Sequence, residues 1–484
     1  MKAIFTRIVP FALTTLLVGC ANFSPDYSRP DSPIAATING EVIAGEGAGN
    51  ADNVGNTKVE LKAWQAFFPN KTTKDLIALA LENNRDLRIA TANVAEAEGM
   101  FQIQRQDLMP SLSLAGSGSS IRNSNNLSGT DNISRSYGAN IGLASYELDF
   151  WGRVRNLNAA ALASYFGTLE AQRSSKLTVI SSTANAYSNW LAARETLLLA
   201  EQTLVSREKS YELIKLRESI GIASTLDLTQ AEVAKVTIEA QKAQSLRVLS
   251  NAQAALELLV GMPISDVLKA QEHQKRGTFD FVIPENLSSS LILSRPDVIA
   301  AEEALIAANA NIGAARAAFF PSITLAGSSG FSSGDLDNLF NSESRTWSFT
   351  PNISIPLFGN GNLANLDVAK ARKDKRIAEY EKVIQNAFSE VYTNVNARKA
   401  RAVEIDANQR LVKAQDKRLG LATARYEAGL SNYIEVLDAK ENLFAAQQSL
   451  LEAERGEAES IIQLYRALGG GDDITASFRE QLSN

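Results

Sequence analysis

Few residues of this 484-residue chain could carry chemistry. It contains one cysteine, Cys20, and one histidine, His273. A His/Cys metal cluster therefore cannot be assembled within one subunit, and an intrachain disulfide is impossible. The stretch Gly359-Asn360-Gly361 is too short for a dinucleotide fingerprint and lacks an acidic partner. No nucleophile–base pair stands out, so we predict a protein that is not an enzyme and uses no metal or cofactor.

The thiol of Cys20 remains available for acylation. Residues 1–19 are typical of a secretory signal, with basic residues near the start and an apolar stretch behind them. They run into Leu17-Val18-Gly19-Cys20, which resembles the bacterial lipobox and implies a diacylglyceryl group on the mature N-terminal cysteine. Each buried methylene contributes about 0.8 kcal/mol, so several acyl chains hold a protein on a bilayer. Ala21, where an Asp would favour inner-membrane retention, favours the outer membrane. The alternative is a chance cysteine in an ordinary signal.

The overall charge argues against a nucleic-acid partner. The chain has 48 basic and 54 acidic residues, a net charge of −6. Loss of Lys2 and Arg7 with the signal leaves 46 basic residues and a net charge of −8. Nucleic-acid binding usually requires a basic stripe. After residue 20 no stretch of about 18 apolar residues occurs, so a membrane role would need strands or a lipid.

The chain contains an internal duplication. Asp86 to Ser119 aligns without gaps on Asp297 to Gly330, and Gly221 to Asp227 aligns on Gly429 to Glu435. We therefore divide the chain into a signal, a tether, two repeats and a tail. The predicted bounds are 1–19 for the signal, 20–72 for the lipidated extended tether, 73–275 for the first repeat, 276–471 for the second repeat and 472–484 for the tail.

Each repeat begins with a helix that leads into strands. The predicted helices, about 73–108 and 289–318, end before Pro110 and Pro321, which cannot continue a helix. Two stretches with period-two alternation follow in each repeat, as in strands with one apolar face. A membrane barrel shows this pattern, and so does a soluble sandwich. The apolar positions are Tyr137, Ala139, Ile141 and Leu143 in the first repeat and Trp347, Phe349, Ile353, Ile355 and Leu357 in the second.

Very long helices follow the strands. Residues 153–219 and 362–427 lack proline and consist mainly of good helix formers. At 1.5 Å per residue each would extend about 100 Å. We expect them to turn at Gly221 and Gly429 and to return as about 225–260 and 433–468. Small residues recur on several faces, which favours a closed helical barrel over a coiled-coil rod.

Several stretches spread over the mature chain together resemble a known family. They are Pro25-Asp26-Tyr27 with Arg29-Pro30, Leu81 to Arg88, Tyr146-Glu147-Leu148-Asp149, Arg295-Pro296-Asp297, Asn309 to Ser322 and Ala467 to Gly471. On these stretches the chain resembles the TolC family of outer-membrane factors, in its lipoprotein branch serving resistance-nodulation-division (RND) efflux pumps. The resemblance covers essentially the whole mature chain.

The resemblance implies an α+β membrane protein that works as a homotrimer. Four strands per subunit would form a shared outer-membrane β-barrel, and the long helices would continue it as an α-helical barrel in the periplasm. The implied function is passive exit of drugs and other small molecules. The implied partners are a periplasmic adaptor, an inner-membrane RND transporter and outer-membrane lipid. The alternatives are a duct for a metal or solvent exporter and a lipid-anchored coiled-coil scaffold.

The resemblance also implies a gate at the periplasmic helix ends. Ile434 and Asp438 match the narrowest rings of relatives, and their i, i+4 spacing places both on one helix face. Glu435 would add a second acidic ring. Rings of charge select ions by sign, and apolar rings can gate by dewetting. Asp227 and Tyr426 match a latch between neighbouring helices. The alternative for all five is an ordinary polar helix end.

Adaptor contact is implied at the two turns. The matching residues are Gly221 and Ile222 in the first turn and Gly429, Leu430 and Ser431 in the second. Ser431 stands where some relatives have a basic latch residue. The sequence predicts neither the exported substrates nor the particular pump.

Overall fold

The computed structural model describes residues 22–35, 63–123, 132–269, 289–359 and 361–471. Cys20, the predicted signal at 1–19, His273 and the predicted tail at 472–484 lie outside these residues. The predictions that concern them stay predictions.

The described elements follow the order expected for a duplicated helix–strand–helix plan. The α-helices are α1 (Trp64–Phe67), α2 (Lys71–Asn83), α3 (Arg85–Gln106), α4 (Arg153–Ser219), α5 (Thr225–Val260), α6 (Ser265–Lys269), α7 (Pro296–Ala317), α8 (Asn362–Glu427) and α9 (Tyr433–Ala467). The strands are β1 (Leu112–Asn123), β2 (Asn132–Glu147), β3 (Ser322–Ser333) and β4 (Arg345–Ser354).

The four strands form one antiparallel sheet in the order β1-β2-β3-β4. Leu114 pairs with Ile141 across β1 and β2, and Phe349 pairs with Gly327 across β3 and β4. The β2–β3 register shifts between Leu143 and Tyr146, as at a β-bulge.

The register gives the sheet one apolar and one polar face. Residues paired directly across two strands point to the same side of the sheet, and successive residues along one strand point to opposite sides. The apolar face carries Leu112, Leu114, Ala139, Ile141, Leu143, Ile323, Leu325, Phe331, Trp347, Phe349 and Ile353. The opposite face carries small or polar residues, among them Ser113, Ser117, Asn140, Thr324, Ser328, Ser348, Thr350 and Asn352.

The long helices confirm the predicted ranges. Helix α4 has 67 residues and α8 has 66, and both begin and end where the sequence indicated. Helix α5 also matches its predicted bounds, and α9 ends one residue early. None of the described helices contains an apolar stretch long enough to cross a membrane.

The first helix of each repeat is shorter than predicted. The stretch 73–108 is divided at Asn84, whose ψ of 132° is extended. Its backbone N–H donates to Ala80 O at the end of α2. Its side chain accepts from Leu87 N (3.0 Å) at the start of α3 and donates to Leu259 O (2.8 Å) of α5. In the second repeat, a 3₁₀ turn at Ser289–Ser294 precedes α7, which starts at Pro296. Proline suits the first helical position because its missing N–H has no partner there.

The chain divides into two compact units, and each draws on both repeats. One contains the sheet and the described parts of Met1–Ser32, Ala92–Glu170 and Ile299–Lys382. The other holds the remaining described residues. Its core includes a cluster of Leu76, Tyr187, Trp190, Leu256 and Val260 with neighbouring apolar side chains, where α2, α4 and α5 meet.

Candidate functional site

Two turns join the long helices, and they share one backbone motif. Gly221 has φ = 75° and Gly429 has φ = 71°, the left-handed conformation in which glycine avoids the cost of a Cβ. The next amides, of Ile222 and Leu430, each donate to the carbonyl five residues earlier, at 2.8 and 2.9 Å. This is the Schellman closure of a helix C-terminus. The two glycines predicted at the turns therefore occupy them.

The turns expose apolar side chains. Ile222 is 71% exposed and Leu430 is 72% exposed. Ser431, the third predicted contact residue of the second turn, is half-buried. Both apolar residues predicted to contact an adaptor are therefore accessible in the subunit.

A small core lies directly behind the turns and joins all four helix ends. It gives the site a rigid base, because the two helix pairs pack on the same side chains. Its buried members are Ile214 on α4, Ala231 on α5, Ala422 on α8 and Tyr433, Val436 and Ala439 on α9.

Asp438 forms an ion pair with Arg418 of α8. It also accepts a hydrogen bond from Asn442 Nδ2 at 3.1 Å. Both charged side chains are about half exposed, so the pair contributes less than about 1 kcal/mol. Within the subunit, the predicted gate carboxylate is thus tied to the neighbouring helix.

Ile434 and Glu435 lie one turn closer to the tip. Ile434 is 53% exposed, as a ring-forming side chain must be in the isolated subunit. A Glu435 carboxylate oxygen lies 3.9 Å from Arg425 Nε, across the second turn. Both acidic residues predicted for the gate therefore face a basic residue of α8.

Asp227, a predicted latch residue, stabilises the start of its own helix. Its carboxylate accepts from Ser224 N (3.1 Å) and Ser224 Oγ (2.7 Å), and its amide donates to Ser224 Oγ (3.1 Å). These bonds form a capping box.

Tyr426, the other predicted latch residue, joins the two helix pairs. Its ring lies 5.3 Å from that of Tyr433. The guanidinium carbon of Arg217, on α4, lies 5.3 Å from the centre of the Tyr426 ring. A cation–π contact of this kind links the first repeat to the second.

The sequence reasoning missed the basic partners Arg418 and Arg425. A signal was present, because residues on either side of a tight turn between antiparallel helices come together. Arg425 and Glu435 are nearly equidistant from Gly429.

A buried cation behind the tip was also missed. Arg207 is 2% exposed and lies 3.2 Å from Glu441, and burial lowers its pKa. Lys440 donates to Ser210 Oγ at 2.5 Å. Burial lowers the pKa of the Lys440 ammonium, and repulsion from Arg207 lowers it further.

The described residues thus combine an antiparallel sheet that has one apolar face with helices of 67 and 66 residues that end in short turns. Comparison with known proteins identifies the family. The family described as "Outer membrane efflux protein" matches residues 76–262 and 287–470. The chain therefore belongs to the outer membrane efflux protein family.

Individual relatives match over almost their full length. The toluene efflux pump outer membrane protein TtgC of Pseudomonas putida is 38% identical over 478 residues, covering 96% of this chain and 95% of that protein. The cation efflux system protein CusC of Escherichia coli O157:H7 is 39% identical over 470 residues, covering 96% and 98%. The open-state MtrE outer membrane channel of Neisseria gonorrhoeae is 35% identical with a TM-score of 0.82, covering 93% and 98%.

These matches confirm the predicted family, fold class and role. The protein is an outer-membrane efflux channel component, located in the outer membrane and extending into the periplasm. The predicted roles of the individual tip residues stay predictions.

Proposed function

We propose that three copies of this chain form one export duct, with each copy contributing its four strands to a shared barrel. The two-faced sheet is the observation that carries the proposal. Within the described residues, β1 and β4 each pair on one side only. Lipid does not satisfy the backbone groups of an open strand edge, so closure requires strands from other copies. The apolar face then meets lipid and the polar face lines water.

The duct serves a tripartite assembly with a periplasmic adaptor and an inner-membrane RND transporter. Ile222 and Leu430 support an adaptor contact because both are exposed at the helix tips. We expect transport through the duct to be passive, without a catalytic step or a cofactor, and we expect Cys20 to carry a covalent lipid.

The exported molecules are drugs and other small molecules. The names of relatives favour a broad range of exported molecules. TtgC is named for toluene efflux and CusC for cation efflux, and both are nearly equally identical to this chain. A solvent or metal exporter is therefore the second candidate. Deletion of the gene, followed by susceptibility tests with antibiotics, organic solvents and metal salts, separates the two.

Conductance tests the duct itself. Purified trimer in a planar bilayer should give discrete single-channel steps, because a closed barrel encloses water. Absence of steps from well-folded trimer would contradict the proposal and favour a lipid-anchored scaffold.

Asp438 tests the gate. We expect Asp438→Ala to raise the single-channel conductance, because the substitution removes the carboxylate ring and frees Arg418. Gln230→Ala is the matched control, since Gln230 occupies the aligned position in the first repeat. Equal conductance of parent and Asp438→Ala trimers would remove Asp438 from the gate.

Cys20 tests the anchor. We expect Cys20→Ser to abolish incorporation of labelled palmitate, because serine lacks the thiol that is acylated. Palmitate that persists in the variant would show that the lipid is attached elsewhere.

A further inference from the structure

A cavity lies between α4, α7 and α8 in the compact unit that contains the sheet. Its volume is about 370 Å³. This size suits one small molecule, since ligand pockets typically enclose about 300–1,000 Å³. The side chains that give it its character are Ala304, Ala307 and Ala308 of α7 and Arg372, Lys375 and Arg376 of α8.

The cavity has an apolar wall and a cationic wall. No acidic side chain is among the described residues that line it. Glu379 lies nearby, 2.7 Å from Arg376 and 3.7 Å from Lys375, and within the described part of the chain Arg372 forms no ion pair. One carboxylate beside three cations leaves a local charge of +2, which favours an anion in the cavity.

The cationic wall belongs to the second repeat alone. When the two turns are aligned, the positions of its three cations correspond to Ser164, Gly167 and Thr168 on α4. Ser164 also lines the cavity, from the opposite helix. A trimer would therefore carry three basic sectors that alternate with three neutral ones.

Opposite faces of α7 meet the cavity and the N-terminal residues. The Glu302 carboxylate and the Asn309 amide bind residues 25–29. Ala304 and Asn311, which line the cavity, each follow two residues later. Because two residues turn an α-helix by about 200°, the cavity lies on the face of α7 away from residues 25–29.

Aromatic rings mark the membrane side of this region. Phe23 stacks on Phe320 with ring centroids 4.5 Å apart, and the Trp151 ring lies 5.0 Å from that of Phe320. The stack lies just before β3, and Arg316 of α7 binds the Phe23 carbonyl beside it. Tryptophan and other aromatic side chains collect where a protein surface leaves the bilayer. The face of α7 that carries the cavity is therefore turned toward the water inside the proposed duct.

We propose that Arg372, Lys375 and Arg376 form a binding site for amphipathic organic anions on the inner wall of the duct. Guanidinium groups bind carboxylates through paired hydrogen bonds, and the alanines offer the apolar part of the solute a surface. Arg372 lies ten residues after the start of α8, about 15 Å along the helix. The inference rests on the proposed duct and adds organic anions to the molecules that pass through it.

Block of the single-channel current by 1-naphthoate tests the site. This probe carries one carboxylate on an apolar ring system, and it should reduce the current of the full-length trimer as its concentration rises. Arg372→Gln combined with Lys375→Gln should raise the half-blocking concentration about tenfold, because the carboxylate loses two cationic partners. 1-Naphthamide, which has the same rings without the charge, should block the parent far less than 1-naphthoate does.

Lys370→Gln combined with Lys373→Gln is the matched control. It removes the same charge from the same helix, but each lysine precedes a cation of the site by two residues and so points about 200° away from it. The control should keep the half-blocking concentration of the parent. Calorimetric titration of the same trimers with 1-naphthoate measures binding without current.

Three outcomes would overturn the inference. The first is an equal half-blocking concentration in the parent and in the Arg372→Gln, Lys375→Gln variant, and the second is equal block by 1-naphthamide and 1-naphthoate. The third is calorimetric binding that is lost in the variant although 1-naphthoate does not block the parent, which would place the cavity outside the duct. A parent trimer without single-channel steps refutes the duct itself, whereas normal steps with unaltered block refute only the anion site.

Discussion

In the first repeat, Asn84 donates its amide to the carbonyl of Leu259, at 2.8 Å. In the second repeat, Arg295 stands at the aligned position and donates to the carbonyl of Ala467, at 2.6 Å. Both bonds close the last turn of the returning helix. Arg295 also binds Asp297 (2.7 Å) and Glu390 (3.0 Å), so a neutral closure in one repeat corresponds to an ionic network in the other.

The same contrast recurs at the turns. In the first repeat, Ser224 and Asp227 cap α5 with local hydrogen bonds. In the second, Asn432 makes no side-chain capping bond, and Glu435, aligned with Asp227, lies near Arg425 instead. The two repeats therefore share the backbone geometry at these two places, whereas the second repeat has charged links there. If the gate acts through charge, its movable part belongs to the second repeat.

The largest effect is expected at the helix closures. Arg295→Met leaves the Ala467 carbonyl, Asp297 and Glu390 without their buried donor, and should destabilise the protein by about 3 kcal/mol. Asn84→Ala removes neutral hydrogen bonds and should cost about 1–2 kcal/mol. Loss of helical circular dichroism with guanidinium measures both. A larger loss for Asn84→Ala would contradict the view that the second closure is the stronger.

The caps at the turns come next. Asp227→Ala removes the carboxylate half of the capping box and should cost about 1 kcal/mol, because the amide and the hydroxyl of Ser224 lose their acceptor. Glu435→Ala, at the aligned position, should cost less than about 0.5 kcal/mol, since its pair with Arg425 is exposed and long. The same denaturant titration compares the two. Equal losses would mean that Glu435 has a capping role that its contacts do not indicate.

Much of this fold could be predicted because its signals are local. Helices α4 and α8 begin after a glycine-containing break and contain no proline. Their bounds could therefore be predicted from the helix-forming composition and from the glycines that precede and follow them. Strands β1 and β3 follow Pro110 and Pro321 for the same reason. The interruption at Asn84 could not be predicted, because it depends on a bond to Leu259, 175 residues away.

The candidate site divides in the same way. The turn glycines followed from the sequence pattern, whereas Ile434 and Asp438 were predicted as gate residues from the family resemblance. The pairing of Asp438 with Arg418 was not predicted, because helix pairing and rotation decide which side chains meet across α8 and α9. The contacts of residues 22–29 with α7 were missed for a similar reason: this short segment has no periodicity, and side chains of α7 that are distant in sequence bind its carbonyls.

The smallest effect is expected at Lys440, which occupies the position of the exposed Glu232 of the first repeat. Burial and the nearby Arg207 lower the pKa of Lys440 in the folded protein below its usual 10.5. The unfolded chain therefore binds the proton more tightly, and the charged ammonium weakens the fold at all pH values well below its folded pKa. Lys440→Met should accordingly raise the guanidinium midpoint at pH 7. The gain should shrink as pH rises toward 10.5, where the parent lysine becomes neutral in both states. Arg410→Met is the control, because Arg410 is an exposed cation in an i, i+4 pair with Asp406. If Lys440→Met raises the guanidinium midpoint by the same amount at every pH, the stabilisation comes from packing and the charge of Lys440 does not contribute.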